Sequence, residues 1–217
     1  MHAALGEPVR LAITDRLALG DASPGELSTQ LGMPTNLLAH HLRVLEEAGL
    51  IHRGRSEGDR RRSYLRLALD DEQVARLTTP ITTFDEASTE RVVFVCTHNS
   101  ARSQLAAAAW ARVSPVPTAS AGTHPAARVH PRAVQVGRRH GLHLDTTATA
   151  HLDQVVRTGD LIVAVCDNAH EELAEPADRL HWSVPNPAVV DTDAAFEEAY
   201  QQIAERVDRL AHAVRSA

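Results

Sequence analysis

The amino-acid sequence predicts two joined folds, an α+β winged helix over residues 1–77 and an α/β domain with a four-stranded parallel sheet over 91–217, separated by a linker at 78–90. Three observations predict this. Two short helical patterns meet at the tight turn "GMPT" and are followed by two strand-like runs around a Gly-Asp turn, the plan of a helix-turn-helix closed by a hairpin. Beyond residue 90, apolar strands alternate with helical stretches, as in a parallel sheet covered by helices on both faces. Between them "TTPITTFDEASTE" has excess Thr and no period. At 217 residues the chain also exceeds the usual domain size of about 100 to 150.

The elements follow in order. In "LGEPVRLAITDRLALGD" the residues Leu5, Val9, Ala12, Ile13 and Leu17 fall at helical spacing, with Gly20 as the stop. Ser23 caps the next helix, with Pro24 at its first position, Glu26 completing a capping box and Gly32 ending it. In "NLLAHHLRVLEEAGL" Leu38, Leu42 and Leu45 line one face and Gly49 ends the helix. "LIHRGRSEGDRRRSYLRLAL" reads as a hairpin with an arginine-loaded tip. The second domain then reads "RVVFVC", "SQLAAAAWARV", "PTASAG", "PRAVQVGRRHG", "HLDQVVRTG", "DLIVAVC", "AHEELAE", "RLHWSV" and a long last helix, "DAAFEEAYQQIAERVDRLAHAV".

All 22 basic residues are arginine, and 28 acids leave a net charge of -6. That sum argues against nucleic acid, but the charge is uneven. Residues 51–66 hold six arginines against Glu57 and Asp59, a basic stripe suited to phosphate contact. Cys96 and Cys166 are too few for a disulfide framework and suit reactive thiols in a reducing compartment. With no signal peptide and no apolar run near the ~20 residues of a membrane helix, the cytoplasm is the expected location. His140 and His143 have ligand-like spacing but no second cluster beside them, so no metal site is expected.

Ligands in an open parallel sheet sit at the carboxyl ends of its strands. Cys96 and Cys166 each end a predicted strand, so both can face one crevice across 70 positions of sequence. After Cys96 the loop Thr97, His98, Asn99, Ser100, Ala101 leads into a helix at Arg102 and Ser103. Successive N–H groups before a helix N-terminus form an anion nest, and Arg102 adds a fork for two oxygens. A tetrahedral oxyanion fits such a nest, and the same positive field favours a nucleophilic thiolate at Cys96.

Cys96, five intervening residues, Arg102 and Ser103, followed in order by "SAG" at 120–122, "DLIVAVC" and "HWSVPNPA", resemble the low-molecular-weight protein tyrosine phosphatase superfamily, and more closely its thiol-dependent arsenate reductases. The resemblance covers the whole second domain and implies a low-molecular-weight phosphatase-like fold. It implies Cys96 as nucleophile, Arg102 and the loop amides as oxyanion holders, and Asn99 and Ser103 as supports of the loop and thiolate. It matches Cys166 to the second redox cysteine of the reductases, which would resolve a Cys96–arsenic adduct to a disulfide. No bound cofactor is implied, but an external thiol reductant is: thioredoxin, mycoredoxin or mycothiol. Two positions depart from the family. Leu173 stands where three-cysteine reductases have a further cysteine, and Asn186 stands at the acidic position before Pro187, where an amide cannot act as general acid.

"HHLRVLEEAGLIHRGR" and "RRSYLRL" resemble the ArsR family of winged-helix repressors. That resemblance makes residues 35–48 a recognition helix, with Asn36, His40 and Arg43 facing bases and Arg55, Arg60, Arg61 and Arg62 facing the phosphate backbone or minor groove of an operator. Leu37 and Ala39 replace the small hydroxyl residues usual there, and "SPGELSTQLG" lacks the family's metalloid-sensing cysteines. A homodimer through the winged helix is expected. The leading reading is a DNA-binding regulator fused to an arsenate reductase. Its rival keeps the DNA-binding half and makes the second domain a non-turnover sensor of arsenate, phosphate or redox state; a protein tyrosine phosphatase ranks below both.

Overall fold

A computed structural model describes residues 2–78, 89–147, 149–173 and 179–214. The chain divides into two compact units, Met1–Thr82 and Thr83–Ala217. Most of the expected linker, 79–88, lies outside the described residues.

In the first unit α1 (His2–Leu5), α2 (Pro8–Leu17), α3 (Pro24–Gln30) and α4 (Thr35–Glu47) precede an antiparallel hairpin, β1 (Ile51–Arg55) and β2 (Ser63–Leu67), and a short α5 (Glu72–Leu77). The first expected helix is corrected to two, and the second stops at Leu17 rather than running to Gly20. Pro8 has no N–H to continue α1 and instead sits at the first position of α2, where the Glu7 carboxylate accepts from the N–H groups of Val9 and Arg10. The capping box at Ser23 and Glu26 forms as expected: Glu26 N–H donates to Ser23 Oγ, and the Ser23 N–H to Glu26 Oε2. Gly32 and Gly49 take positive φ of 60° and 68°, the left-handed ends that let α3 and α4 turn away. Helix α5 has no counterpart in the sequence reading, although Asp71 caps it by accepting from Gln73 and Val74. Ile13, Leu17, Leu27, Leu38, Leu42, Leu45, Ile51, Leu65 and Val74 close one core.

The second unit contains β3 (Arg91–Cys96), α6 (Arg102–Val113), β4 (Thr118–Gly122), α7 (Pro131–Arg139), α8 (Leu152–Val155), β5 (Asp160–Ala164), α9 (Asp167–Glu172), β6 (Leu180–His181), α10 (Pro187–Val190) and α11 (Asp193–Ala213). Its strands pair in the order β4-β3-β5-β6, all parallel. The order reverses around β3, so the switch point lies at the carboxyl end of the strand that carries Cys96. Val92 to Val95 are fully buried, which is why β3 reads as an unbroken apolar run instead of an alternating one. Helices α6, α7 and α11 pack together, with α6 over β3 and β4, while α9 packs on β3 and β5.

Two strand ends are corrected. Strand β5 stops at Ala164, and Cys166 is the N-cap of α9 although its backbone is still extended (φ −166°, ψ 157°). Strand β6 keeps only Leu180 and His181 of the six expected residues: Trp182 N–H still donates to Ala164 O at 2.7 Å, and the chain then turns, with Val184 N–H donating to Trp182 O at 2.9 Å.

Candidate functional site

The loop after β3 is wired from both sides. Its carbonyls point outward: Thr97 O accepts from His124 N–H at 2.7 Å, His98 O from Ala126 N–H at 2.9 Å and Ser100 O from His130 N–H at 2.8 Å. Across each planar peptide the N–H opposes the C=O, so the amides of His98, Asn99 and Ala101 point to the inside. Asn99 N–H shows the direction, donating to Cys96 Sγ at 3.2 Å. Asn99 takes a left-handed φ of 48°, and its side chain holds that bend by donating to Ser103 Oγ at 2.9 Å and accepting from Ala150 N–H at 3.0 Å and Gln104 Nε2 at 3.3 Å. Ser103 Oγ also lies 3.1 Å from Cys96 Sγ. Gly122 at the end of β4 lets this loop approach: a Cβ there would meet Thr97 O at 2.8 Å and Asn99 N at 2.9 Å, which accounts for the glycine of "SAG".

Arg102, the first residue of α6, is buried and donates through Nη1 to Val184 O at 2.7 Å. Cys166 is wholly enclosed. Its Sγ lies 3.6 Å from Thr97 Oγ1 and accepts from Ala169 N–H at 3.5 Å. Burial pushes the Cys166 thiol up from its ordinary range, the Arg102 charge opposes that rise, and the Cys96 sulfur adds to it. The register explains the proximity of the two thiols: Val95 pairs with Ala164, and Val165 N–H donates to Val95 O at 2.7 Å, so Cys166 lies one residue past the position beside Cys96. No disulfide joins them in this structure.

Of the other predicted loop residues, Thr97 is buried, Ser100 half-buried and His98 exposed. Asn186 spends its carboxamide on the fold, Oδ1 accepting from Ala188 N–H at 3.2 Å to cap α10. The nearby acids do not replace it at the motif position. Asp191 meets Arg132 Nε at 3.0 Å and His130 Nε2 at 3.5 Å, and Asp193 pairs with the same Arg132. His140 contacts Glu197 and stacks on Tyr200 at 4.0 Å.

In the first unit Asn36, His40 and Arg43 are exposed on α4, opposite buried Leu38, Leu42 and Leu45. Leu37 is 47% exposed among them, an apolar residue on the expected reading face. At the hairpin tip the Arg61 guanidinium donates twice to Asp59, at 3.0 and 3.1 Å, and the Arg61 N–H once, at 3.1 Å; Arg62 lies 3.9 Å from the same carboxylate, while Arg53 pairs with Glu46 at 2.8 Å. The hydrogen bonds from Arg61 hold the Asp59 carboxyl below its ordinary value. Arg55 and Arg60 are exposed and pair with no acid among the described residues. The basic stripe is thus partly neutralised at the tip.

Sequence reasoning did not find Asp167, His170 and His181, which lie buried beside Cys166. Their traces were the histidine of "AHEELAE" and the "HW" of a landmark.

Residues 91–217 match the model of the low molecular weight phosphotyrosine protein phosphatase family, and residues 5–53 match a helix-turn-helix domain. The chain is similar to an arsenate reductase of Bacillus licheniformis, 29% identical over 136 residues that cover 57% of this chain and 96% of the relative. It is also similar to one of Halalkalibacterium halodurans, 30% identical over 132 residues covering 55% and 94%. Among solved structures it resembles the tyrosine phosphatase Wzb of Escherichia coli K30, with a TM-score of 0.51, 21% identity and coverage of 57% and 97%, a likeness of fold.

Proposed function

The chain belongs to the low molecular weight phosphotyrosine protein phosphatase family, and from that premise we propose a bifunctional arsenic-response protein in which an ArsR-like DNA-binding regulator is fused to a thiol-dependent arsenate reductase. One observation carries the reductase reading over the phosphatase one: a second thiol, Cys166, lies one residue past the position beside Cys96, with its sulfur 3.6 Å from Thr97 Oγ1 of the loop that follows Cys96. A phosphatase has no use for it. The reductase relatives support the same choice.

Arsenate enters the loop between the inward amides and Arg102, which exchanges its bond to Val184 O for two arsenate oxygens. Cys96, its sulfur held by Asn99 N–H and Ser103, displaces one oxygen as water and forms a thiol–As(V) adduct. Cys166 then attacks Cys96, the sulfur–arsenic bond breaks and arsenite leaves with the electron pair. A Cys96–Cys166 disulfide remains, and an external thiol recycles it. Leu173 offers no third sulfur, so thioredoxin, mycoredoxin or a small thiol such as mycothiol acts on this first pair. The winged helix sets α4 in the major groove of an operator, with Asn36, His40 and Arg43 toward bases and Arg55 and Arg60 to Arg62 toward phosphates, as a homodimer.

Steady-state arsenite formation by the full chain with each of these reductants tests the reading. Turnover that disappears in Cys96→Ser supports it. Asn186 favours a second reading, since it presents no carboxylate for proton transfer: a sensor that binds arsenate or phosphate without reducing it. Oxyanion binding with no arsenite from any thiol would select that reading.

A further inference from the structure

Outside the oxyanion loop the second unit buries a group of ionisable side chains near Cys166. Asp167 opens α9, directly after Cys166, and its Oδ1 lies 2.9 Å from His181 Nε2, both side chains being 2% exposed. His181 is fixed in the sheet, opposite Ala164 of β5. Its ring stacks on His170 of α9, with centroids 4.1 Å apart and planes within 9°. Arg179 donates through Nε to His170 Nδ1 at 3.3 Å and through Nη2 to His170 O at 2.9 Å. His170 N–H in turn donates to Cys166 O at 3.1 Å.

Burying a carboxylate and an imidazole is costly, and an apolar pair would pack as well, so the arrangement calls for a reason. Its neighbour in sequence supplies one. Among the described residues two polar groups touch Cys166 Sγ: the Ala169 N–H, in the first turn of α9, and Thr97 Oγ1, in the oxyanion loop. A shift of that turn would take Cys166 away from both. The Asp167 bond ties the turn to β6, and β6 is tied through β5 to the strand that carries Cys96.

We propose that the hydrogen bond between Asp167 and His181 clamps the first turn of α9 and so positions Cys166 for its attack on Cys96, making both residues positioning residues of the second step. This rests on the reductase reading. In that step the Cys166 thiolate attacks Cys96 Sγ, the sulfur–sulfur bond forms and the sulfur–arsenic bond breaks. The electron pair stays on arsenic, taking As(V) to As(III), and the two sulfurs are oxidised to a disulfide. The proton given up by Cys166 is returned to the departing arsenite. The oxygen removed from arsenic has already left as water when the adduct formed.

Two variants of the full chain break the bond from opposite sides. Asp167→Ala removes the carboxylate, and His181→Phe keeps a ring to stack on His170, so one folded variant suffices. Single-turnover arsenite release should slow by at least about tenfold in each, the loss expected when an intramolecular nucleophile is misplaced. The dissociation constant for inorganic phosphate should stay at the parent value, and Asp167→Asn, which keeps an acceptor for His181, should retain most of the rate. In a Cys96→Ser background, iodoacetamide should label Cys166 at least about tenfold faster once the clamp is broken. Parent rates of release and labelling in both variants would overturn the proposal, as would phosphate affinity falling in parallel with turnover. A parent chain that releases no arsenite with any thiol overturns the reductase reading itself, a result distinct from either.

Discussion

The proposed oxyanion loop and the proposed DNA-reading surface use similar residues in opposite ways. In the loop Asn99, Arg102 and Ser103 are buried, and each is held by a named partner. On α4 and at the hairpin tip Asn36, His40, Arg43 and Arg60 are exposed. A site that stabilises developing charge must be organised before the substrate arrives, because rearrangement during reaction would cost barrier height. A surface that meets a polyanion gains most of its affinity from released counterions, and its long side chains can order on contact. Single substitutions should therefore be severe in the loop and graded on the DNA surface.

The largest effect should come from Cys96→Ser, which leaves apo-state DNA affinity at the parent value and lowers arsenate reduction by more than about 10³-fold, since no other group can form the adduct. Parent-level turnover would remove Cys96 from the mechanism. Gly122→Ala comes next. Its Cβ would lie under 3.0 Å from loop backbone, so the loop must shift, with about 1–3 kcal/mol lost in stability and a comparable loss in phosphate affinity, read by thermal melts and calorimetry. Replacing Arg60 to Arg62 by Ala should weaken operator binding by about tenfold or more at physiological salt and flatten the slope of log K against log salt by up to about three. Because Asp59 already engages Arg61 and Arg62, Arg60→Ala alone should supply a large share of that change. Equal slopes for triple variant and parent would refute the wing assignment.

The smallest effect is one of pH. Cys166 has its pKa raised by burial, so disulfide formation should go on accelerating above the ordinary thiol range near about 8.5. The same shift has a stability side. The folded chain keeps its proton where the unfolded chain has lost it, so the contribution is complete below the unfolded thiol pKa and is lost as pH rises through the folded one. Cys166→Ala should flatten unfolding free energy against pH in that alkaline window.

The sequence made visible what is local or repeated. The spacing of Cys96 and Arg102, the capping box at Ser23, the leucine face of α4 and four apolar strands all declare themselves within a few residues. The two missed features of the first unit were also local. Pro8 with Glu7 divides the first helix, but the apolar period of residues 5–17 runs across them; Asp71 starts α5, a six-residue helix too short to show a period of its own. What no window could show are pairs made by topology. Arg102 meets Val184 across 82 positions, and Asp167 meets His181 only because β6 lies beside β5. Gly122 stood in a quoted landmark, yet its purpose is the backbone of a loop more than 20 residues earlier.

In the proposed mechanism Cys96 and Cys166 together form a two-thiol reductase. Its most direct test is a single turnover: fully reduced protein mixed with arsenate and no external thiol, with arsenite assayed and the cysteines mapped by mass spectrometry. About one arsenite per chain and a Cys96–Cys166 disulfide are expected. Two free thiols and no arsenite would contradict it.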